Sequence, residues 1–483
     1  MKQKYFIKIA LFIVILMNGS CKKLVEVDVA GTLIGTKQVF STDANATAAV
    51  VGIYINMMAK SFGISYIPLG VTTYSGLCAD ELRIFKPTAL NSYRYFYSNS
   101  IANNSVDNDN IWSDLFGHIF TANLIIENLE GNTQISPTVN DQLIGEVKFI
   151  RAFSYFYLTN VYGDVPLLTH SDYATNRLAG RDSQSSVYNQ VITDLKDAQR
   201  LLKSDYSLSE NQERVRPNKW AATALLARVY LYTGKWNEAE AESSAIITNT
   251  AQFSLPVIGS DLFNGLNTVF LKNSTETIWA LKPVLQGANT FDAQVFLRPT
   301  EGTSSNGRLI VSNGILSAFE PGDLRRQAWV NSASTAETWP DTNYYVNKYK
   351  AAPTYSQAPQ EYTIVLRLAE QYLIRAEARA MQNNLNGAAL DLNRIRAGAG
   401  LGNAVVSDQV SMLKAILKER QVELFCEFGH RWFDLKRTKN IDAVMNVVSP
   451  LKSTVWNTNY QLFPIPQNEI LKNINLTQNP GYK

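Results

Sequence analysis

Apolar residues recur at steps of three and four positions in several long segments, a spacing that places them on one face of an α-helix. The clearest case is the segment from 107 to 130. Its apolar positions are Ile111, Leu115, Ile119, Ala122 and Ile126. Two further helices are predicted, one beginning near Thr42, where Asp43 can cap it, and one over about 139–162.

Three segments have the spacing of tetratricopeptide helix pairs, in which small residues let two antiparallel helices approach closely. The first lies in residues 220–247. Its marker positions are Leu226, Ala227, Tyr230, Gly234, Trp236 and Ala239. In a second, looser copy the marker positions are Tyr372, Ala376, Leu385, Ala388, Leu392 and Ile395. A third pair is expected from the helix that holds Ala152 and Tyr155, closed by residues 182–203.

Two segments interrupt this helical pattern. Residues 61–106 are rich in tyrosine without a sustained helical period, and residues 250–362 are dense in Gly, Asn, Ser, Thr and Pro with short strand-like runs. We therefore predict a mostly α fold over residues 43–483, in which tetratricopeptide-like helix pairs form a scaffold. The larger insert is expected to be irregular and loop-rich, with a few short strands.

The amino terminus has the layout of a secretory signal. Three lysines within the first eight residues precede an apolar run from Ile9 to Met17, which is too short to span a bilayer. Cys21 follows, and its position resembles a bacterial lipobox, although Asn18 stands where leucine is usual. We expect residues 1–20 to be removed and Cys21 to become the lipidated end of a tether over 21–42. Several acyl chains would anchor it stably.

Charge and composition narrow the class of partner. The net charge is +3 over 483 residues and no long Lys/Arg run exists, which argues against a nucleic-acid partner. The chain has 23 Tyr, 21 Phe and 8 Trp. Tyr and Trp combine a flat apolar ring with a polar tip, which suits sugar rings or peptides. An aromatic-rich core explains the same composition.

The segment "CEFGHRWFDLKR", residues 426–437, carries side chains that an active site would use. Catalysis needs a base with an orienting group, a nucleophile or a metal cluster. His430 has no second histidine at ligand spacing, and His118 and His170 are isolated. The chain has no zinc-type, nucleophile-elbow or phosphate-loop motif, so we predict neither an enzyme nor a metal or other cofactor.

A structural role explains the same residues. Glu419, Glu423 and Glu427 are four apart and form one acidic stripe on a helix, which repels itself when unpaired. Arginines spaced for helical faces are Arg367, Arg375, Arg379, Arg394 and Arg396. We predict an Arg–carboxylate lattice between packed helices. Cys78 and Cys426 are expected to be free, buried thiols.

Several motifs also resemble the SusD/RagB family. They are "EVKFIRAFSYFYLTNVYGDVPL", "RLAEQYLIRAEARA", "LNRIRAGAG", "ILKERQVELFCEFGHRWFDLKR" and "FPIPQNEILKNINLTQNPGYK". The resemblance extends over essentially the whole mature chain and is weakest over 250–362. It implies a surface-exposed outer-membrane lipoprotein without catalytic activity. Such a protein binds glycans, sits on a SusC-like TonB-dependent transporter and delivers oligosaccharides to it.

Candidate ligand-binding residues lie in the two inserts, since loops carry function more often than scaffold does. In "DELRIFKPTALNSYRYFY" they are Arg83, Phe85, Tyr93 and Tyr95, in a stretch interpreted as non-helical; a strand pair with inward aromatics is the alternative. In "TWPDTNYYVNKYK" they are Trp339, in turn context before a proline, and Tyr344. Tyr345 and Tyr349 alternate like residues of a half-buried strand.

Two other functions fit the sequence. A tetratricopeptide stack is a natural peptide groove, and some relatives in the resembled family are peptide-uptake proteins, so a RagB-like peptide-binding lipoprotein is the alternative. A lipoprotein glycoside hydrolase would need a carboxylate pair such as Asp80 and Glu81. Adjacent residues in a strand point to opposite faces, which disfavours that pair.

Overall fold

A computed structural model describes residues 35–58, 70–84, 91–255, 261–284, 289–297, 309–333, 343–351 and 358–482. In chain order its α-helices are α1 (Thr36–Val39), α2 (Asp43–Met58), α3 (Val71–Cys78), α4 (Asn91–Tyr97), α5 (Val106–Leu129), α6 (Pro137–Tyr162), α7 (Tyr173–Asn176), α8 (Gln184–Leu201), α9 (Lys219–Tyr232), α10 (Trp236–Ile247), α11 (Leu262–Thr268), α12 (Phe291–Phe296), α13 (Asn313–Ala318), α14 (Leu324–Trp329), α15 (Leu368–Met381), α16 (Leu385–Gly398), α17 (Gln409–Glu423), α18 (His430–Arg437), α19 (Ile441–Leu451) and α20 (Gln467–Lys472). The mostly α prediction is confirmed.

Short strands connect distant parts of the chain in antiparallel pairs. The strands are β1 (Leu82–Ile84), β2 (Thr277–Leu281), β3 (Leu309–Val311), β4 (Val330–Ala333), β5 (Asn343–Val346) and β6 (Thr363–Arg367). β1 pairs with β3, β2 with β6, and β4 with β5. The large insert contains four of these strands, β2 to β5, and β6 begins directly after it. The short strands and irregular segments within its described residues were predicted, whereas its short helices α11 to α14 were not.

The three predicted helix pairs are present. α6 packs against α8, α9 against α10, and α15 against α16. Helices α6 and α8 run antiparallel, because Lys148 and Arg151 of α6 form ion pairs with Asp197 and Asp194 of α8, respectively. In the first tetratricopeptide-like segment Gly234 has φ of 71°, a left-handed conformation that favours glycine in the turn between helices.

The large insert is fixed to the helical scaffold by an aromatic contact. Trp279 of β2 is fully buried, and its ring meets those of Phe149 and Phe153 of α6 edge-on, at centroid separations of 4.9 and 5.6 Å. Edge-to-face pairs add about 0.5–1.5 kcal/mol to the energy of burial. β2 therefore holds the insert against the scaffold, next to its partner strand β6.

Two features at the amino-terminal side differ from the sequence-based expectation. The end of the predicted tether is not wholly extended: α1 is helical and Phe40 is buried, with its carbonyl accepting a hydrogen bond from Asn132. Asp43 does not cap α2. The hydroxyl of Thr42 accepts from Asn45 N–H instead, because the Asp43 carboxylate accepts from Ser136 at the start of α6.

Arg367, where β6 meets α15, is the centre of a buried ion network. Its guanidinium nitrogens lie 2.7 Å from Glu276, 2.6 Å from Glu423 and 2.8 Å from Glu427. Arg367 is only 2% exposed. One cation thus joins the residue before β2, the end of α17 and the turn that follows α17, which places the acidic stripe predicted from the sequence inside the protein.

Arg325 of α14 forms a second centre that shares Glu423. It pairs with Asp323 at 2.8 Å, with Glu419 at 2.6 Å and with Glu423 at 2.8 Å. Burial alone would raise the pKa of Glu423, but the charges of Arg367 and Arg325 outweigh burial and hold that pKa below its ordinary value. The carboxylate is therefore charged and fixed between two guanidinium groups.

The predicted lattice is confirmed, but with a partly different set of cations. Arg367 and Arg396 contact the stripe, whereas Arg375 and Arg379 pair with Asp391. Arg325 and Lys348, both in the large insert, supply further cations that the helical spacing did not identify. Lys348 is buried, and its ammonium donates to Glu427 and to the carbonyl of Glu423.

The helix α18 continues the network. Asp434 accepts from Arg420 and from Arg437, each at 2.7 Å, and Arg437 also pairs with Glu377. His430 is 5% exposed, and burial together with the neighbouring charges of Arg228 and Arg420 lowers its pKa well below the usual value. The histidine is therefore neutral near pH 7.

The turn between α17 and α18 has an unusual backbone. Cys426 and Phe428 have positive φ angles of 51° and 43°, and Gly429 has 73°. The Cys426 N–H donates to Glu81 Oε1 at 3.1 Å, and the Phe428 N–H donates to the hydroxyl of Thr72 at 2.9 Å. Contacts from α3 and from the residue before β1 therefore hold this turn, and the thiols of Cys78 and Cys426 are free and buried, as predicted.

Replacing Arg367 by methionine would leave three buried carboxylates without this shared cation. Breaking a buried ion pair from one side costs about 3–5 kcal/mol, so we expect Arg367→Met to lower the free energy of unfolding in urea by that amount. Arg200→Met is the matched control, because the Arg200 side chain is 68% exposed and its pair with Asp197 spans 3.5 Å. The control should change stability by less than about 1 kcal/mol. Equal effects of the two variants would contradict the account.

Burial of Glu81 predicts that the stability of the fold depends on pH. Burial raises its pKa to about 8, whereas an unfolded glutamate ionises near 4.5. Between these values the unfolded chain releases a proton that the folded chain keeps, so this residue makes stability fall as pH rises, by at most about 1.4 kcal/mol per unit. Glu81→Gln can still accept the Cys426 N–H and should remove this slope when unfolding is measured from pH 5 to 8.

The control for Glu81 is Glu127→Gln. Glu127 lies at the surface and also accepts a main-chain N–H, that of Ser171, at 2.8 Å. This variant should keep the pH slope of the unmodified chain. A Glu81→Gln variant whose slope equals that of the unmodified chain would show that Glu81 is ionised in the folded protein.

Candidate ligand-binding site

The charged cluster near the carboxyl end does not form an open cleft. Glu423, His430 and Asp434 are each no more than 5% exposed, and arginines hold both carboxylates. Within the described residues, no group of histidine, cysteine and acidic side chains is arranged to hold a metal ion. These side chains are therefore not accessible to a ligand.

Four of the candidate residues from the sequence lie in the described part of the structure. They are Arg83, Tyr93, Tyr95 and Tyr344. Phe85, Trp339 and the expected lipidation site Cys21 lie outside the described residues, so their predicted roles stay predictions.

Strand pairing and packing place the two predicted segments in elements that contact one another. Arg83 of β1 is the register partner of Ile310 in β3, and β3 also contacts β5, which contains Tyr344. The helix α4, with Tyr93 and Tyr95, contacts β1. We refer to Arg83, Tyr95 and Tyr344 as the aromatic face. Residues from the two inserts, about 250 positions apart in sequence, thus lie in contacting elements.

The interpretation of Tyr93 and Tyr95 as residues of a non-helical stretch is wrong, and so is the alternative of a strand pair. Both lie in α4, where residues two apart point to different sides. Tyr93 is half-buried and meets Tyr74 edge-on at 6.2 Å between ring centroids, while Tyr95 is 44% exposed. Burial of Phe96 holds this helix against the core. Its side chain is fully enclosed, and its ring stacks on that of Tyr74 with the centroids 4.0 Å apart.

Tyr344 is held in place by a cation. It is half-buried in β5, and the guanidinium carbon of Arg326 lies 4.3 Å from its ring centroid. Such a cation–π contact contributes about 0.5–1 kcal/mol at an exposed site and more when water is excluded. Tyr345 is half-buried in β5, as the alternation predicted, whereas Tyr349 is buried but lies beyond the end of that strand.

Arg83 places a positive charge near the ring of Tyr97 in α4. It is half-buried in β1 and close enough to Tyr97 to lower the pKa of its phenol, although burial of Tyr97 outweighs the arginine and raises that pKa overall. A planar guanidinium beside tyrosine rings can donate to the hydroxyls of a polar ligand whose apolar face lies on a ring.

Asp80 and Glu81, the carboxylate pair considered for hydrolysis, belong to the scaffold. Arg431 binds the carboxylate of Asp80 through two nitrogens, each at 2.7 Å. Glu81 is 1% exposed and accepts the Cys426 N–H. Because Asp80 is held by a guanidinium and Glu81 is enclosed, the structure does not favour this pair as acid and base.

Reasoning from the sequence missed a second feature, a polar cleft of about 630 Å³ at the carboxyl end of α6. Its walls include Arg181, Gln184, Tyr188 and Lys436, and residues near the end of the chain close it. Lys436 was assigned to the structural lattice with its neighbours. No periodic pattern could have found the cleft, because its walls come from segments separated by more than two hundred residues.

The described helices also bear on membrane association. None of them combines the length and the apolar character that crossing a bilayer requires.

Comparisons with known proteins identify the family. Residues 317–482 match the family model described as "SusD family", and residues 78–231 match the one described as "Starch-binding associating with outer membrane". SusD-like protein P25 of Formosa agariphila is 27% identical, over 96% of this chain and 97% of its own. Starch-binding protein SusD of Bacteroides thetaiotaomicron is 23% identical, over 75% of this chain and 76% of its own.

Solved structures share the fold. A laminarin-binding SusD-like protein superposes with a TM-score of 0.74 at 25% identity, covering 91% of this chain and 99% of its own. A SusD homologue from Bacteroides thetaiotaomicron gives a TM-score of 0.77 at 19% identity, over 92% of this chain and 98% of its own. Together with the two matched segments and the relatives that align along nearly the whole chain, this fold shows that the protein belongs to the SusD/RagB family.

Proposed function

We propose that this protein is a cell-surface lipoprotein that binds glycans on the aromatic face and delivers oligosaccharides to a SusC-like TonB-dependent outer-membrane transporter. The observation that carries glycan binding is the arrangement of Arg83, Tyr95 and Tyr344 in contacting elements, in a fold shared with a laminarin-binding relative. Sugars bind to proteins through ring stacking combined with hydrogen bonds from planar polar groups, and this face offers both.

Two further observations support the cellular role. One matching family model describes starch-binding proteins that associate with the outer membrane. The start of the chain has the order of a lipoprotein signal, with Cys21 after the apolar run. A lipid anchor would keep the protein at the membrane, where a transporter can receive the ligand.

The aromatic face should lose affinity when its rings and its cation are removed. We expect Tyr95→Ala, Arg83→Ala and Tyr344→Ala each to weaken binding of laminari-oligosaccharides or malto-oligosaccharides by about fivefold to tenfold, since each contact contributes on the order of 1 kcal/mol. Titration calorimetry on the full chain in detergent measures this. Tyr173→Ala is the control, because Tyr173 is an exposed tyrosine of α7, outside the aromatic face.

The same titrations distinguish glycan binding on the aromatic face from glycan binding elsewhere and from peptide binding. Unchanged oligosaccharide affinity in all three variants would remove the site assignment. A chain that binds peptides of several residues and none of the oligosaccharides would support the RagB-like alternative and contradict glycan binding.

The lipid anchor gives a separate prediction. Replacing Cys21 by serine removes the thiol that would carry the lipid, so the chain should move from the membrane fraction to the soluble fraction when cells are fractionated. Cys78→Ser is the control, since Cys78 is a buried thiol and its replacement should leave the chain in the membrane fraction. A Cys21→Ser chain that remains with the membrane would contradict anchoring at this residue.

A further inference from the structure

The polar cleft at the carboxyl end of α6 contains two cations without a carboxylate partner. Among the described residues, Arg181 and Lys436 form no ion pair, whereas Arg437 beside them is paired with Glu377 and Asp434. Buried charges in proteins are normally paired, and a perturbed group in a cleft is a candidate binding group. These two residues therefore need a source of negative charge.

The contacts of Lys436 show how little of its charge is compensated. Its ammonium has three donors and bonds to one carbonyl oxygen, that of Asn160 in the last turn of α6. Burial lowers the pKa of Lys436 to about 7, which reflects the loss of water around the charge without a full replacement.

Lys452, a lysine that is buried more deeply than Lys436, is a useful contrast. It also bonds only to main-chain carbonyls, but it uses three of them, those of Leu77, Cys78 and Ala79 at the end of α3, at 2.6–3.0 Å. All its donors are thus satisfied within the protein, and it does not line the cleft. Lys436 differs in retaining donors on the wall of the cleft.

Arg181 is fixed in place by neutral groups. It donates to the carbonyls of Asp164, Thr477 and Tyr162 and, at 2.6 Å, to the side-chain oxygen of Asn479. These contacts orient the guanidinium but supply no full negative charge.

The charges of the cleft do not balance. The end of a helix carries roughly half a negative charge, which is less than the two cations gathered at the end of α6. Asp164 is the acidic residue of the lining, but it is exposed to water and one of its oxygens already accepts the Gln184 N–H. The cleft therefore favours an anionic ligand.

The remaining walls favour a hydroxylated ligand over a small inorganic ion. The volume of about 630 Å³ is within the range of sites for molecules of several rings. Gln184 and Gln478 line the cleft with amide groups, and Tyr188 adds an aromatic ring. Amides and a tyrosine ring are the groups with which proteins bind sugar hydroxyls and sugar faces.

We propose that this cleft is a second binding site, distinct from the aromatic face, that takes an acidic saccharide, with the carboxylate or sulfate of the sugar placed between Lys436 and Arg181. The site goes beyond the glycan binding proposed above, since it selects for charge. It is built by α6, the start of α8, the end of α18 and the closing segment of the chain.

Titration calorimetry on the full chain in detergent tests this with three probes: tetragalacturonate, a sulfated carrageenan tetrasaccharide and neutral laminaritetraose. At least one of the two anionic probes should bind the unmodified chain. Lys436→Met should weaken that binding by about tenfold or more, the effect of losing about 1.4 kcal/mol. Lys452→Met, which deletes a buried ammonium outside the cleft, should change it by less than about twofold. Laminaritetraose affinity should not respond to Lys436→Met.

A second variant shows whether an effect of Lys436→Met comes from the cleft or from a folding defect. Leu462 lines the cleft, and Leu462→Trp would fill it without removing a charge. It should also weaken the anionic probe and leave laminaritetraose unaffected. The proposal is overturned if neither anionic probe binds the unmodified chain, or if both variants bind the anionic probe as the unmodified chain does. Binding of laminaritetraose without either anionic probe would leave glycan binding on the aromatic face intact and remove only this site.

Discussion

The fold depends on the burial of Arg367 and Arg325 among carboxylates that come from distant parts of the sequence. Both cations lie in or beside the large insert, and both bind Glu423 at the end of α17. Removing such charges from water is costly, and only close pairing with several hydrogen bonds offsets that cost. The buried ion network therefore allows few other arrangements of these side chains, and it fixes the position of the insert on the helical scaffold.

This constraint explains why residues that look catalytic are scaffold. His430 is neutral and enclosed, Asp434 bonds to two arginines, and Cys426 lies in a turn whose N–H groups are held by Glu81 and Thr72. A rigid scaffold of this kind can hold the side chains of the aromatic face, which come from two inserts, in fixed positions.

Much of the architecture could be predicted because helical spacing is a local signal. The helix pairs and the acidic stripe follow from periodicity, and the structure has them. Arg325 and Lys348 were missed because they lie in an insert without a period, so nothing in the sequence placed them beside α17. Tyr93 and Tyr95 were placed in the wrong element because α4 has only seven residues, too few to show a period.

The candidate sites were less predictable than the fold because each depends on contacts between distant segments. The segments of Arg83 and Tyr344 both contact β3, and Lys436 and Arg181 both line the cleft at the end of α6. Spacing along one helix does not predict contacts between distant segments. The aromatic composition fits a ligand surface and an aromatic-rich core alike.

Hydrogen–deuterium exchange of the full chain, with and without a saturating neutral oligosaccharide, distinguishes a buried scaffold from a ligand-binding cluster in 419–434. We expect slower exchange in 82–84, 91–97 and 343–346, and unchanged exchange in 419–434, where the buried ion network already protects the backbone. Slower exchange confined to 419–434 would show that the charged cluster itself binds the ligand, and would contradict its role as scaffold.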